Sequence, residues 1–209
     1  MLASSSPSAS LQKRTDNWFR RASAALLGQV PCRAGCSHCC IGPFAITGLD
    51  TLMLQEGLKQ LPADERRDIE ACASEQAALM ERAFPALKHS PWLDSWSDQD
   101  IDRLVTQFQT TPCPALGEDG RCRLYEYRPL VCRSMGIPVE EGPRTQGACA
   151  VQTFVPIVRL SAAIRAEEQS LADQEGTVLK RWRMETGSEG DDIFVAYGFL
   201  ADGTVKRQA

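Results

Sequence analysis

The sequence predicts a mainly α, single-domain protein with a cysteine-rich, metal-organised loop region and a small C-terminal β-hairpin. Three observations lead there. Apolar residues recur at helical intervals on both sides of a segment, Thr110 to Ala150, in which that period vanishes. Pro, Gly and Cys dominate the segment itself. Eight of the nine cysteines among the 209 residues fall into two groups: Cys32, Cys36, Cys39 and Cys40, then Cys113, Cys122, Cys132 and Cys149.

Taken in order, residues 1–13 are Ser-rich and polar, with no continuous apolar stretch to serve as a secretory signal. They read as a disordered tail preceding one domain over residues 14–209. Thr15 or Asp16 is placed to cap a helix with Trp18, Ala22, Ala25 and Leu26 on one face and Gly28 suited to its end. Thr47 and Asp50 have capping-box spacing, followed by Leu54, Leu58 and Leu61. Pro62 opens another helix, whose Asp64 and Glu65 complement the positive end of the helix dipole. Its apolar stripe is Ile69, Cys72, Ala73, Met80 and Ala83. Cys72 stands apart from both cysteine groups and is expected to be a buried thiol. Ser97 and Asp100 repeat the capping spacing ahead of Ile101, Leu104, Val105 and Phe108. Within the cysteine-rich segment, Glu118-Asp119-Gly120 marks a turn. Pro156 can start a long helix with Ile157, Leu160, Ile164 and Leu171 inward, ended by the polar stretch 187–192. Ile193 to Leu200, Asp202-Gly203 and Thr204 to Arg207 then have the pattern of a hairpin.

A net charge of -4 gives no global basic field for nucleic acid or an anionic membrane surface. The longest apolar run, Ile193 to Ala201, is broken by Gly198 and falls far short of the roughly 20 residues of a membrane helix. The chain therefore reads as cytoplasmic, where thiols stay reduced. Its length allows a core that needs no disulfide staples. Metal ligation accounts for the cysteines better than a disulfide scaffold does. No protein partner is specified.

The first group reads C-x3-C-x2-C-C, which brings at least three thiolates within one or two turns of backbone. Neighbouring side chains diverge by about 100° on a helix, so Cys39 and Cys40 are unsuited to the same ion. Eight cysteines suffice for two tetrathiolate zinc sites, or for one 4Fe-4S iron-sulfur cluster with thiols to spare. Gaps of eight, nine and sixteen residues in the second group exceed those of common zinc knuckles and tilt the reading toward iron-sulfur. C-x3-C-x2-C is also the spacing of radical S-adenosylmethionine enzymes, but the alternating strands and helices of their barrel are absent after Cys40. His38, inside the first group, is read as a surface imidazole and His89 as solvated. Arg121, Arg123, Arg128 and Arg133 flank Cys122 and Cys132; they are read as compensating the negative charge of a thiolate centre rather than forming an anion pocket.

Cys32 to Cys40, Cys113-Pro114-Ala115-Leu116, Gly120-Arg121-Cys122, Tyr125-Glu126, Arg128-Pro129-Leu130-Val131-Cys132-Arg133 and Cys149 together resemble the YkgJ-type cysteine-cluster family of zinc- or iron-chelating domains, over a core of residues 32–149. The resemblance implies a mainly helical, metal-binding bacterial protein without a defined activity. A flagellin lysine methylase carrying an iron-sulfur cluster has a similar cysteine core, so a modifying enzyme is one alternative; it is much longer than this chain. A zinc-stapled protein-interaction module is the other.

Overall fold

The computed structural model describes residues 7–26, 30, 35–141, 144–146 and 159–200. The mainly α class holds. Helices α1 (Pro7–Ala25), α2 (Gly48–Gln60), α3 (Ala63–Ala83), α4 (Asp98–Gln107), α5 (Leu130–Ser134), α6 (Ala162–Thr186) and α7 (Val195–Leu200) carry most of these residues. The strands β1 (Ala45–Thr47), β2 (Val139–Glu141), β3 (Arg144–Gln146) and β4 (Asp192–Phe194) form two antiparallel pairs, β1 with β4 and β2 with β3. Contacts divide the chain into two compact units, Met1–Cys39 with Leu130–Lys180 and Cys40–Pro129 with Arg181–Ala209.

In the first unit, Leu11, Trp18, Ala22 and Leu26 of the amino-terminal segment are buried with Leu130, Ile137, Leu160 and Leu171. Helix α1 starts at Pro7, well before the expected cap, so residues 7–13 are helical and the tail reading is left with residues 1–6, outside the described residues. The physical reason is Leu11, whose burial in this core overrides the weak helix propensity of its Ser-rich surroundings. Thr15 lies inside the helix, where its hydroxyl donates to the Leu11 carbonyl at 3.0 Å. Trp18 is 1% exposed, and its indole N–H donates to the Ile164 carbonyl at 3.0 Å. Ala25, expected on the same face, is exposed.

Helix α6 begins at Ala162 rather than Pro156, with the Ser161 hydroxyl accepting from the Ile164 N–H at 3.4 Å. Leu160 is buried just before it; Pro156 and Ile157 lie outside the described residues. The β2–β3 pair, in register Val139 with Gln146, stands where the sequence suggested only loop. Arg165 of α6 donates to the Pro138 carbonyl at 2.5 Å and pairs with Glu140 at 3.3 Å, tying that pair to the helix.

The second unit is built on α2, α3 and α7, with α7 packed on both. Thr47 and Asp50 form the reciprocal capping box of α2, and Ser97 caps α4 by accepting from the Asp100 N–H at 3.2 Å. Leu54, Leu58, Ile69, Ala73, Met80 and Leu104 are buried, as the helical stripes require. Ala83 is exposed. Gly187, at φ +68°, ends α6 with its N–H on the Arg183 carbonyl at 2.9 Å, a left-handed cap.

The terminal segment differs from expectation. Asp192–Phe194 is a strand, but it pairs with β1 in register Ala45 with Phe194, and Val195–Leu200 continues as helix α7. Residues 204–207, the expected second strand, lie outside the described residues. A strand with one solvated face alternates in burial, whereas Ile193 to Phe199 is buried at every position; such short apolar runs do not distinguish strand from helix by period. Gly198 admits the close approach of α7: a Cβ there would stand 2.6 Å from Ile46 Cδ1 and 3.1 Å from Leu54 Cδ1.

Candidate metal centre

Cys113 and Cys122 are placed by a small lattice of backbone hydrogen bonds in the second unit. Proline, glycine and short hydrogen-bonding side chains favour such a lattice where neither helix nor long strand forms. The Cys113 N–H donates to the Cys40 carbonyl at 2.7 Å and the Gly42 N–H to the Thr111 carbonyl at 2.7 Å, an antiparallel bridge centred on Ile41 and Pro112. This bridge sets a residue of each sequence group side by side. Leu116 and Cys122 form a second bridge, closed by Gly117 N–H to Arg121 O at 2.8 Å and Arg123 N–H to Ala115 O at 2.8 Å. The loop between them is the expected Glu118-Asp119-Gly120 turn: Gly120 takes φ +76°, and the Asp119 carboxylate accepts from the Arg121 N–H at 3.0 Å. Cys40, Cys113 and Cys122 are all half-buried.

In the first unit Cys36, Cys39 and Cys132 are likewise half-buried. Cys39 and Cys40 lie on a single 3-10 turn, His38–Cys40, in which successive side chains fan apart by about 120°. That bears on the expectation that they do not share an ion. Cys132 sits within the five-residue helix α5, between buried Leu130 and buried Arg133. Cys32 and Cys149 lie outside the described residues. Among the described residues, no group of three or more Cys, His, Asp and Glu is set to hold a metal ion. His38 and His89 are exposed.

The four arginines each engage a protein group. Arg133, 3% exposed, is paired with Asp16. Arg123 donates to the Pro114 carbonyl at 2.8 Å, bracing the segment from Cys113 to Cys122. Arg128 stacks 3.9 Å from the Tyr125 ring centroid and donates to the Tyr125 carbonyl at 2.7 Å, while Arg121 approaches Asp119 at 3.9 Å. Their sequence clustering thus serves local structure.

Cys72 is half-buried rather than enclosed, and its sulfur accepts from Gln76 Nε2 at 3.3 Å. The sequence reading passed over Gln76. Its i+4 relation to Cys72 on one helix face was the available signal. A recess of about 20 Å³ adjoins Cys113, walled by Gln76, Leu79, Met80, Phe108 and Val195 among others; it has room for one water. A larger groove of about 980 Å³, lined by Phe84, Trp96, Gln99, Asp100, Arg103 and Gln107 among others, has no cysteine on its walls.

The chain sets half-buried cysteines on turns and backbone bridges of a mainly helical fold, the class of a cysteine-cluster protein. The family model for the CxxCxxCC zinc- or iron-chelating domain matches residues 31–150, more than half of the chain, and the protein belongs to that family. Metal chelation is the property this membership carries. No curated protein matches the sequence, and no solved structure matches it. No helix of the described residues is long and apolar enough to cross a membrane.

Proposed function

We propose that the protein binds metal through thiolates drawn from Cys32, Cys36, Cys39, Cys40, Cys113, Cys122, Cys132 and Cys149, and that the bound species is an iron-sulfur cluster. The hydrogen bond from Cys113 N–H to Cys40 O carries the reading, because it joins the two sequence groups through backbone alone. Half-buried cysteines fit the donor chemistry of either iron-sulfur or zinc, both of which accept soft thiolate ligands. When bound, an iron-sulfur cluster supplies one-electron redox chemistry, whereas zinc would act structurally. The chain's own task is to gather and shield the thiols, which lose their protons on binding metal, so that binding contributes to folding. A reducing, cytoplasmic setting suits that chemistry. For a modifying enzyme the recess beside Cys113 offers little, since one water's volume admits no organic cofactor.

Anaerobic purification followed by metal analysis and visible spectroscopy tests the reading. The expected result is bound iron with broad thiolate-to-iron absorption, lost on replacing Cys113 or Cys132 by Ser and retained in Cys72→Ser. Colourless, zinc-loaded protein would replace the iron-sulfur assignment by the zinc-stapled module. Metal-free protein would end the proposal.

A further inference from the structure

We infer that Gln76 is a positioning residue for Cys113, and that Cys72 orients Gln76; the inference rests on the reading of Cys113 as a ligand. Gln76 Nε2 donates to the Pro112 carbonyl at 2.8 Å and to Cys72 Sγ at 3.3 Å. A side-chain amide carries two N–H bonds on that nitrogen, so both contacts can be made together. The Pro112 carbonyl and the Cys113 N–H belong to one planar peptide unit. Gln76 grips its oxygen, while the Cys40 carbonyl accepts from its N–H at 2.7 Å. Held at both poles, the plane is restrained from rotating, and with the Leu116 N–H on the Cys113 carbonyl at 2.9 Å the direction in which the Cys113 side chain leaves the backbone is restricted before any metal arrives. Cys72, one turn before Gln76 on α3, holds the amide in the rotamer that reaches Pro112. All of these groups lie within the second unit. The ninth cysteine, outside both sequence groups, thereby gains a role without being a ligand.

The test uses the full-length, anaerobically purified protein with two readouts: metal release to an excess of chelator, and hydrogen exchange of the Cys113 amide. Gln76→Glu keeps the shape, removes the donors and sets a carboxylate against the Pro112 carbonyl. It is expected to speed both readouts about tenfold, the lower range for groups that orient a ligand. Cys72→Ser, which keeps an acceptor, should stay near wild type, and Cys72→Ala should give a smaller increase of about threefold. Wild-type rates in Gln76→Glu would overturn the inference, as would faster exchange spread evenly over α3 and α7, the mark of general destabilisation. If the wild type holds no metal, the proposed function fails, yet Cys113 exchange in the metal-free protein still decides the clamp, unchanged exchange refuting it.

Discussion

Cys113 and Cys132 are held by different kinds of structure. Cys113 stands mainly in a mesh of backbone hydrogen bonds that runs through Cys40, Thr111, Gly42 and the turn at Gly120, to which Gln76 adds a side-chain bond on the Pro112 carbonyl. Cys132 rides on a five-residue helix fixed by neighbouring side chains, buried Leu130 and the Arg133–Asp16 pair. A backbone mesh tolerates most substitutions so long as the special φ angles are kept, because its donors and acceptors are common to all residues. A side-chain anchor depends on particular residues and fails when one is lost. Substitutions should therefore separate the two cysteines.

Trp18→Ala carries the largest expected effect. It empties the core beneath the first unit, removes the bond to Ile164, and should cost about 3–5 kcal/mol in urea denaturation. Exchange of the Cys132 amide should rise far more than that of Cys113; equal rises would break the contrast. Asp16→Ala should cost about 2 kcal/mol, below the value for a fully buried pair because the Asp16 side chain is 35% exposed. It should loosen α5 in the same exchange measurement. Gly120→Ala places a Cβ at φ +76° and should cost about 1–2 kcal/mol, this time loosening the Cys113 to Cys122 segment and leaving Cys132 unchanged.

The smallest expected effect is electrostatic and touches neither cysteine. Burial, then the carboxylates of Asp94, Asp191 and Asp50, raise the Asp192 pKa above the ordinary 3.8. The native state then binds the proton more tightly than the unfolded chain, so this contribution to stability is present below 3.8 and is lost as pH rises through the raised value. Asp192→Asn should flatten the stability profile between 3.8 and the raised value and gain about 0.5 kcal/mol at neutral pH, read by thermal melts across a pH series. A steeper profile in the variant would contradict the assignment.

Local chemistry made much of the fold legible in the sequence. The caps at Thr47 and Ser97 and the turn at Gly120 form between residues two or three apart, so spacing alone announces them. Features that depend on distant partners were hidden. Helix α1 extends to Pro7 because Leu11 meets a core assembled partly from residues after 130. The run from Ile193 became strand and then helix because β1 and α2 wait for it. The cysteine groups were legible as groups. Their bridge through Cys40 and Cys113 was not, because it joins backbone atoms separated by the whole of α2, α3 and α4.

The β1–β4 pairing also sets an order of events during synthesis. Ala45–Thr47 lies just after Cys40, but its partner strand is translated roughly 150 residues later, about 7–30 s at ordinary elongation rates. Throughout that interval the second unit lacks β4 and the buried helix α7. Pairings this distant in sequence close slowly, because the loop entropy is lost before the contact forms. Until then the faces of α2 and α3 that α7 covers have no partner, so the second unit completes its core only once α7 has been made.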